Sequence, residues 1–232
     1  MEENNKKNES QKQIAGAIII AGVIIAGAIL LRGNIIPTTA VLPTKPTPFN
    51  VNLKVNADDR VLGSAQAKVA IIMYEDFQCP FCGKSFNESE INIINTYVKN
   101  GDVQFVFRDW AFLGPESTQA ALAARCAGDQ GKFWEYHSYL FTHQNGENKG
   151  AFSDANLKSF AKTLGLNIAS FNSCFDSNKY IKAIADSRTK GAAAGVTGTP
   201  KGFILKDGKT VDIINGAEPF ASIKQKIDNA LR

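Results

Sequence analysis

The chain has 232 residues and a hydrophobic content of 44%, so it can fill the core of one or two folded domains and is not an intrinsically disordered protein. Its formal net charge is +4, but from Asp58 onward 20 Lys and Arg stand against 19 Asp and Glu. Because this part has no basic excess and no nucleic-acid-binding motif, we expect no nucleic acid partner.

The N-terminal region is expected to contact membrane lipid. Residues 14–31 form an uncharged run of 18 residues, which is just long enough to cross a bilayer. Three lysines precede this run and Arg32 alone follows it closely, which favours a cytoplasmic tail at residues 1–13 and an extracytoplasmic C-terminal domain. A cleavable signal peptide, processed near Ala26-Gly27-Ala28, is the alternative. The apolar run continues through Ile29–Leu31, so an uncleaved transmembrane anchor is preferred.

Residues 32–54 are rich in proline and threonine, which indicates a linker with partly extended, polyproline-like character. A folded domain over residues 55–232 is expected to follow it. The sequence contains no internal repeat.

The folded domain opens with two strand patterns and a helix between them. Val69–Tyr74 is a buried β-branched run, and Val103–Arg108 alternates apolar with polar residues. Pro80–Asn100 has helical periodicity. The apolar residues at core spacing in this helix are Ile91, Ile94 and Val98.

A helical block of about eighty residues follows, and the chain then returns to strands. Phe203–Leu205 and Val211–Ile214 are typical of a hairpin across Asp207-Gly208, and Pro219–Leu231 is typical of a final helix. The helical segments expected in the block are Ser117–Ala127, Lys132–Phe141, Ser153–Leu164, Ile168–Ser177 and Lys179–Ala194.

This order predicts an α/β sheet with an all-helical insertion at about residues 115–195. Without the insertion, the elements form a β-α-β-β-β-α pattern only if one more short strand is assumed. Val51–Val55 is the candidate for that strand.

Two cysteines three residues apart stand where the first strand gives way to the helix. Cys79 and Cys82 can close and reopen a disulfide with little movement, because residues i and i+3 are neighbours on a helix. Pro80 suits the first helical turn, and the free amides that follow it, including that of Phe81, favour a thiolate at Cys79. The pattern therefore predicts a redox pair, with Cys79 as the nucleophile and Cys82 as the resolving thiol.

A static disulfide or half of a zinc site is the alternative for this C-x-x-C, and it would make the protein an anchored, non-enzymatic binding module. A zinc site would need a second close-spaced pair of Cys or His residues, which the sequence lacks. We therefore expect no metal and no cofactor.

Several motifs, in this order and spacing, resemble DsbA-like thiol:disulfide oxidoreductases, and the resemblance extends over about residues 58–232. This family has a thioredoxin fold with a helical insertion between its two halves. The residues that carry the resemblance are Asp59–Ser64, Asp76–Cys82, Phe107–Trp110, Cys126 with Lys132–Trp134, and Gly195–Pro200.

The resemblance implies that the enzyme forms or exchanges disulfide bonds in extracytoplasmic proteins, with a reductase or isomerase of the same fold as the alternative. It assigns Pro200 a cis peptide bond beside the active-site pair. The backbone of Thr199 would then pair with an extended substrate segment. The implied substrates are unfolded or partly folded secreted chains with cysteines, and a membrane redox partner would recycle the active site.

The chain departs from the family pattern at two positions. Phe81 stands where many strongly oxidising members have a histidine, so we expect a higher Cys79 pKa and a less oxidising couple. Met73 stands where thioredoxins and some relatives have a buried acid. Glu75 and Asp76 are the nearest acids and either can relay a proton to Cys82 through water, although exposed loop carboxylates are the commoner case.

The remaining polar candidates are assigned structural roles. Cys126 and Cys174, 48 residues apart, are expected to form a structural disulfide in an oxidising compartment, with two buried free thiols or a second redox pair as the alternatives. His137 lies on an aromatic helical face and is expected in the core or at its rim. Arg108 and Asp109 are expected to form a local ion pair.

Overall fold

The structure is a computed structural model that describes residue 51 and residues 53–232. The predicted cytoplasmic tail, the predicted membrane segment at residues 14–31 and nearly all of the predicted linker lie outside the described residues. Among the helices that the structure describes, none combines the length and the apolar character that crossing a bilayer requires.

A five-stranded mixed sheet forms the centre of the domain, with the strand order β1-β3-β2-β4-β5. Strands β2 and β3 are parallel and in register from Val69 with Val103 to Glu75 with Asp109, and the other neighbouring strands are antiparallel. The strands are β1 (Arg60–Leu62), β2 (Val69–Glu75), β3 (Val103–Asp109), β4 (Lys201–Lys206) and β5 (Lys209–Asn215).

The edge strand is not where the sequence predicted it. The described residues of that segment, Val51 and 53–55, are not in a strand, and Arg60–Leu62 pairs with β3 instead. A strand of three residues is too short to produce a periodic signal, which explains the error. Leu53 still packs in the core, and the Thr210 hydroxyl donates to the Val51 carbonyl, so this segment covers the sheet without joining it.

Two helices cover one face of the sheet: α1, which extends from Pro80 to Val98, and α7 (Phe220–Leu231). Their buried residues share one core with the inward side chains of the strands. The segments Phe86–Glu90 and Ile94–Val98 of α1 are π-helical. This wider winding turns Ile91 out to 39% exposure and buries Ile93 in its place, so the predicted core position at Ile91 was wrong.

The helical insertion follows β3 and consists of five helices that share a core of their own. A disulfide joins Cys126 in the first of them to Cys174 in the fourth. The helices are α2 (Pro115–Gly128), α3 (Phe133–Thr142), α4 (Asp154–Thr163), α5 (Ile168–Asp176) and α6 (Ile181–Ala193). The core of the insertion also includes Cys79 and Cys82, so the redox pair lies where the insertion meets the sheet.

A buried ion pair fixes the segment before β1 to the sheet. The Arg108 guanidinium donates to both carboxylate oxygens of Asp59, at 2.7 and 2.8 Å, and to the Tyr74 hydroxyl at 2.9 Å. Asp109 pairs with Arg125 of α2 instead. The predicted pair of Arg108 with Asp109 was therefore wrong, since neighbouring residues of a strand point to opposite faces.

Candidate active site

Cys79 is the N-terminal cap of α1, and Pro80 occupies the first helical turn. The Cys79 carbonyl accepts from the amides of Cys82 and Gly83, at 3.0 and 3.1 Å. The amides of Phe81 and Cys82 face the Cys79 sulfur and favour its thiolate. The helix start therefore places a reactive sulfur in front of free backbone donors, as the sequence predicted.

The Cys79 thiol is unusually acidic, with a pKa lowered to about 6. The largest cause is the hydrogen bond from the Cys82 thiol, and the Thr199 side chain also lowers the pKa. Burial opposes both effects. The sequence-based account, in which the thiolate depended on the helix end alone, was therefore incomplete.

Cys82 has the opposite character. Burial raises its pKa well above that of an ordinary thiol, and the hydrogen bond to Cys79 and the charge of Glu75 raise it further. Cys82 is completely buried, whereas Cys79 keeps 5% of its surface exposed. A substrate sulfur can therefore reach only Cys79.

The Thr199-Pro200 peptide bond is cis, and it brings the loop before β4 against the redox pair. The Cys79 sulfur lies 3.5 Å from the Thr199 carbonyl oxygen, across 120 residues of sequence. Two aromatic side chains of the described residues are turned to solvent near the loop that carries Cys79. Phe81, between the two cysteines, is 63% exposed, and Phe112, whose amide donates to Asp76, is 38% exposed. Each offers an apolar surface.

Asp76 organises the loop that carries Cys79. Its carboxylate accepts from the backbone amides of Gln78, Phe112 and Leu113 and from the Ser117 hydroxyl, at 2.7 to 3.1 Å. Asp76 is only 1% exposed, so the expectation of an exposed loop carboxylate was wrong for this residue. With both oxygens engaged, Asp76 connects the end of β2 to the start of the insertion.

Two further side chains support the same loop, and sequence analysis missed them. Gln144 donates to the carbonyls of Phe77 and Cys79, at 2.5 and 3.2 Å. Gln78 donates to Ser117 and accepts from the backbone of Asn148. These contacts span 39 to 70 residues of sequence, so no local pattern could indicate them.

Glu75 is buried as well, and it belongs to a polar cluster beneath the cysteines. Its side chain is 1% exposed, so it is not the exposed carboxylate that was the commoner expectation. Burial, the neighbouring Glu90 and Cys79 raise its pKa well above the usual range. Burial also raises the pKa of Glu90 to about 8 and lowers that of His137 to about 3. The sequence placed His137 in the core but gave no sign of its acidic neighbours.

The fold and this site together define a thioredoxin-fold protein with a helical insertion and a C-x-x-C pair at a helix start. A family model described as thioredoxin matches residues 55–229, and the chain therefore belongs to the thioredoxin family. The predicted fold and the resemblance to DsbA-like proteins are confirmed for the described residues.

Individual relatives agree on the fold. The oxidised BdbD of Bacillus subtilis is 21% identical and has a TM-score of 0.70, with 78% of this chain and 97% of that protein covered. The thiol-disulfide exchange protein α-DsbA2 of Wolbachia pipientis is 25% identical and has a TM-score of 0.62, with 75% and 88% covered.

A longer relative matches only in part. The Na⁺/H⁺ antiporter NhaA 1 of Salinispora arenicola is 32% identical over 159 residues, which are 66% of this chain. The chain spans just 23% of that antiporter's length. The likeness therefore concerns one region of a much longer protein.

Proposed function

We propose that the chain is a thiol:disulfide oxidoreductase that forms or exchanges disulfide bonds in extracytoplasmic proteins through Cys79 and Cys82. The observation that carries the proposal is the pairing of one slightly exposed sulfur of pKa about 6 with one buried sulfur of raised pKa. When two thiols differ this much in acidity, the more acidic one is a good leaving group in disulfide exchange. A disulfide that only crosslinks the fold does not need this property. The name of the Wolbachia relative, a thiol-disulfide exchange protein, agrees with this activity.

In the oxidising direction a substrate thiolate attacks the Cys79 sulfur of the Cys79–Cys82 disulfide. A bond forms between the substrate sulfur and Cys79, the Cys79–Cys82 bond breaks, and Cys82 takes up a proton. A second substrate thiolate then attacks the substrate sulfur, and Cys79 leaves as a stable thiolate. The substrate loses two electrons and gains a disulfide, while the active site gains the same two electrons.

Glu75 is the acid best placed to exchange a proton with Cys82. The charge of Glu75 acts on Cys82, and burial raises the pKa of Glu75 itself, which favours its exchange of a proton with the buried thiol. Asp76 is less suited to a proton relay, because both of its oxygens accept hydrogen bonds that hold the loop. We therefore assign the relay to Glu75.

The substrates we propose are unfolded or partly folded secreted chains that contain cysteines. The Thr199 backbone beside Cys79 offers main-chain pairing to an extended segment, and the exposed rings of Phe81 and Phe112 offer apolar contact. Because the reduced pair must be reoxidised, a membrane redox partner completes the cycle. Anchoring through residues 14–31 would keep the domain near that partner on the extracytoplasmic side.

A reductase or isomerase on the same fold is the second candidate, and one observation favours it. Phe81 contributes no positive charge between the two cysteines, so the thiolate lacks a stabilisation that a cation would give. Equilibration with glutathione separates the candidates. A potential near that of thioredoxin, about −270 mV, would indicate a reductase, and a value near about −120 mV would indicate an oxidase.

Trapping of mixed disulfides tests the proposed function directly. In Cys82→Ala the resolving thiol is missing, so Cys79 should accumulate covalent adducts with cysteine-containing polypeptides, which mass spectrometry identifies. Cys79→Ala is the matched control and should form none. Equal adduct levels in both variants, or none in either, would contradict exchange at Cys79.

A further inference from the structure

A group of potential metal ligands lies in the core beneath the redox pair. Glu75 comes from β2, Glu90 from the first π-helical segment of α1, and His137 from α3. One ligand atom from each of the three side chains lies within 4.8 Å of the other two. The three residues are at most 2% exposed.

None of the polar atoms in this group has a hydrogen-bond partner among the described residues. Both carboxylates and both imidazole nitrogens are unpaired. His137 Nε2 and Glu90 Oε1 are 3.6 Å apart, which is too long for a hydrogen bond. Buried polar groups normally have hydrogen-bond partners, so these unpaired side chains indicate that a ligand binds between them.

The charged and aromatic residues around the group limit what such a ligand can be. Within the part of the chain that the structure describes, neither Glu75 nor Glu90 has a lysine or arginine partner. Aromatic rings pack around His137 instead. They are Phe77, Phe86, Phe107, Phe133, Trp134 and Phe141. A net charge inside such a shell is strongly unfavourable.

We propose that Glu75, Glu90 and His137 bind one divalent transition-metal ion, zinc in the first place. Two carboxylates and a neutral imidazole carry a net charge of −2, which a divalent ion cancels. Zinc accepts this mixture of oxygen and nitrogen ligands, whereas magnesium and calcium prefer oxygen alone.

The spacing of the ligand atoms suits this ion. Zinc bonds to nitrogen and oxygen are about 2.0–2.2 Å long, so two ligand atoms of one tetrahedral ion stand roughly 3.3 Å apart. The contact of 3.6 Å between His137 and Glu90 is close to this value. All three ligand atoms lie within 4.8 Å of one another, so a small inward movement of the side chains completes a three-ligand set.

The proposed ion would have a structural role. It joins β2 of the sheet and α1 to α3 of the insertion, directly behind the loop that carries Cys79. Because its ligands are buried, the ion enters while the chain folds and is retained afterwards. This inference does not depend on disulfide exchange at Cys79, but it excludes the proton relay assigned above to Glu75, because a carboxylate bound to zinc does not also carry a proton.

Metal content after refolding tests the proposal. The full chain is oxidised so that all four cysteines are in disulfides and no thiol can bind metal. It is then unfolded in guanidinium, refolded with zinc, dialysed and analysed by mass spectrometry for metal. We expect about one zinc per chain, and Glu90→Gln or His137→Gln should retain less than roughly a tenth of that.

Two exposed residues provide matched controls. Glu88→Gln removes a carboxylate two residues from Glu90, and His143→Gln removes the other histidine of the chain. Both should retain about one zinc. Refolding with cobalt should give weak visible bands without the intense sulfur-to-cobalt absorption, and His137→Gln should abolish them.

Measurements of thermal stability distinguish loss of the metal site from poor folding of a variant. Glu90→Gln preserves the side-chain volume and removes a buried charge, so without metal it should be at least as stable as the wild type. Zinc during refolding should raise the Tm of the wild type and not that of Glu90→Gln. Less than about a tenth of a zinc in the refolded wild type, or equal zinc in wild type and Glu90→Gln, would overturn the proposal. The first result would mean that the carboxyl groups hold protons instead of an ion.

Discussion

At Cys79 the acidity of one thiol depends on groups from two distant parts of the chain. The Cys82 thiol and two backbone amides come from α1, and Thr199 comes from the loop before β4. The sequence alone indicates the local contributions, because the C-x-x-C and Pro80 define the helix start. The contribution of Thr199 follows from the fold, which brings residues 79 and 199 together.

We expect the residue at position 81 to affect the reduction potential of the Cys79–Cys82 disulfide. Phe81→His places an imidazolium beside the Cys79 thiolate, so it should lower the Cys79 pKa below 6 and stabilise the reduced form. We expect the disulfide to become more oxidising by roughly 30 mV or more, which is about tenfold in the equilibrium with glutathione. Phe112→His is the control, because Phe112 is exposed but does not lie between the cysteines. Equal shifts in both variants would argue against a local charge effect.

The low pKa of Cys79 also predicts how the stability of the reduced protein depends on pH. A thiol whose pKa is lower in the folded state stabilises the fold above its unfolded pKa and loses this effect as the pH falls through about 6. The pKa of Cys82 is raised, so its contribution is lost only above the pKa of an ordinary thiol. Between pH 6 and 9 the two therefore do not cancel.

Reduced wild type should thus gain stability relative to Cys79→Ala as the pH rises from about 6 to 9. The upper limit is about 4 kcal/mol, from three pKa units at about 1.4 kcal/mol each. Guanidinium unfolding of both reduced proteins across this range measures the difference. The comparison is needed because Glu90, with its pKa raised to about 8, destabilises the fold over the same range in both proteins. A difference that stays constant with pH would contradict the assigned acidity.

At the scale of elements, the active site depends on a loop that several helices support. Asp76 follows β2 directly and accepts hydrogen bonds from the segment that leads into α2. Gln144, after α3, holds the same loop from the other side. A Cβ at Gly83 would collide with the end of the Gln144 side chain, which would have to move away from the loop. The insertion therefore positions the redox pair as well as covering it.

Asp76→Asn tests this support. The amide preserves the size of the side chain but replaces one acceptor oxygen by a donor, which would face other donors, such as the backbone amides of Phe112 and Leu113. We expect the free energy of unfolding to fall by about 1–3 kcal/mol. Asp102→Asn, at an exposed position after α1, should change it by less than about 0.5 kcal/mol. Guanidinium midpoints measure both, and a neutral Asp76→Asn would show that these hydrogen bonds contribute little.

For the molecule as a whole, the described residues form three hydrophobic clusters, one on each face of the sheet and one in the insertion, and the two active-site cysteines belong to the cluster of the insertion. The Cys126–Cys174 disulfide lies within the insertion and closes a segment of 48 residues. Chain-entropy arguments give such a crosslink about 4 kcal/mol of stability. It lies in different helices from the groups that set the acidity of Cys79.

The double variant Cys126→Ala with Cys174→Ala should therefore lose up to about 4 kcal/mol of unfolding free energy and still exchange disulfides. Calorimetry measures the stability, and oxidation of a reduced model peptide measures the exchange. Adding reductant to the wild type should reproduce the loss. If the double variant were stable but inactive, Cys126 and Cys174 would belong to the redox chemistry instead.

The sequence predicted much of the architecture because periodicity and turn residues are local. Strands β2 and β3, the five helices of the insertion and the final hairpin follow the predicted order. The edge strand at Arg60–Leu62 was missed because three residues carry too little pattern. The core face of α1 was shifted at Ile91 because its π-helical turns depart from the regular period.

The active site was also predictable where its residues form a local motif, but not where they meet through tertiary contacts. Cys79, Cys82 and Pro80 form a local motif, whereas Pro200 and Thr199 were placed only through the resemblance. The burial of Glu75 and its proximity to Glu90 and His137 depend on three elements packing together. No spacing in the sequence encodes that contact, so tertiary structure was needed to find it.

The most direct test of the central claim is the alkylation of Cys79 as a function of pH. In the reduced protein only Cys79 has both an exposed edge and a low pKa, so the iodoacetamide rate should rise with a midpoint near 6. Cys82→Ala removes the largest stabilising contact and should move the midpoint upward by roughly one unit or more. A wild-type midpoint near about 8.5, that of free cysteine, would contradict the account.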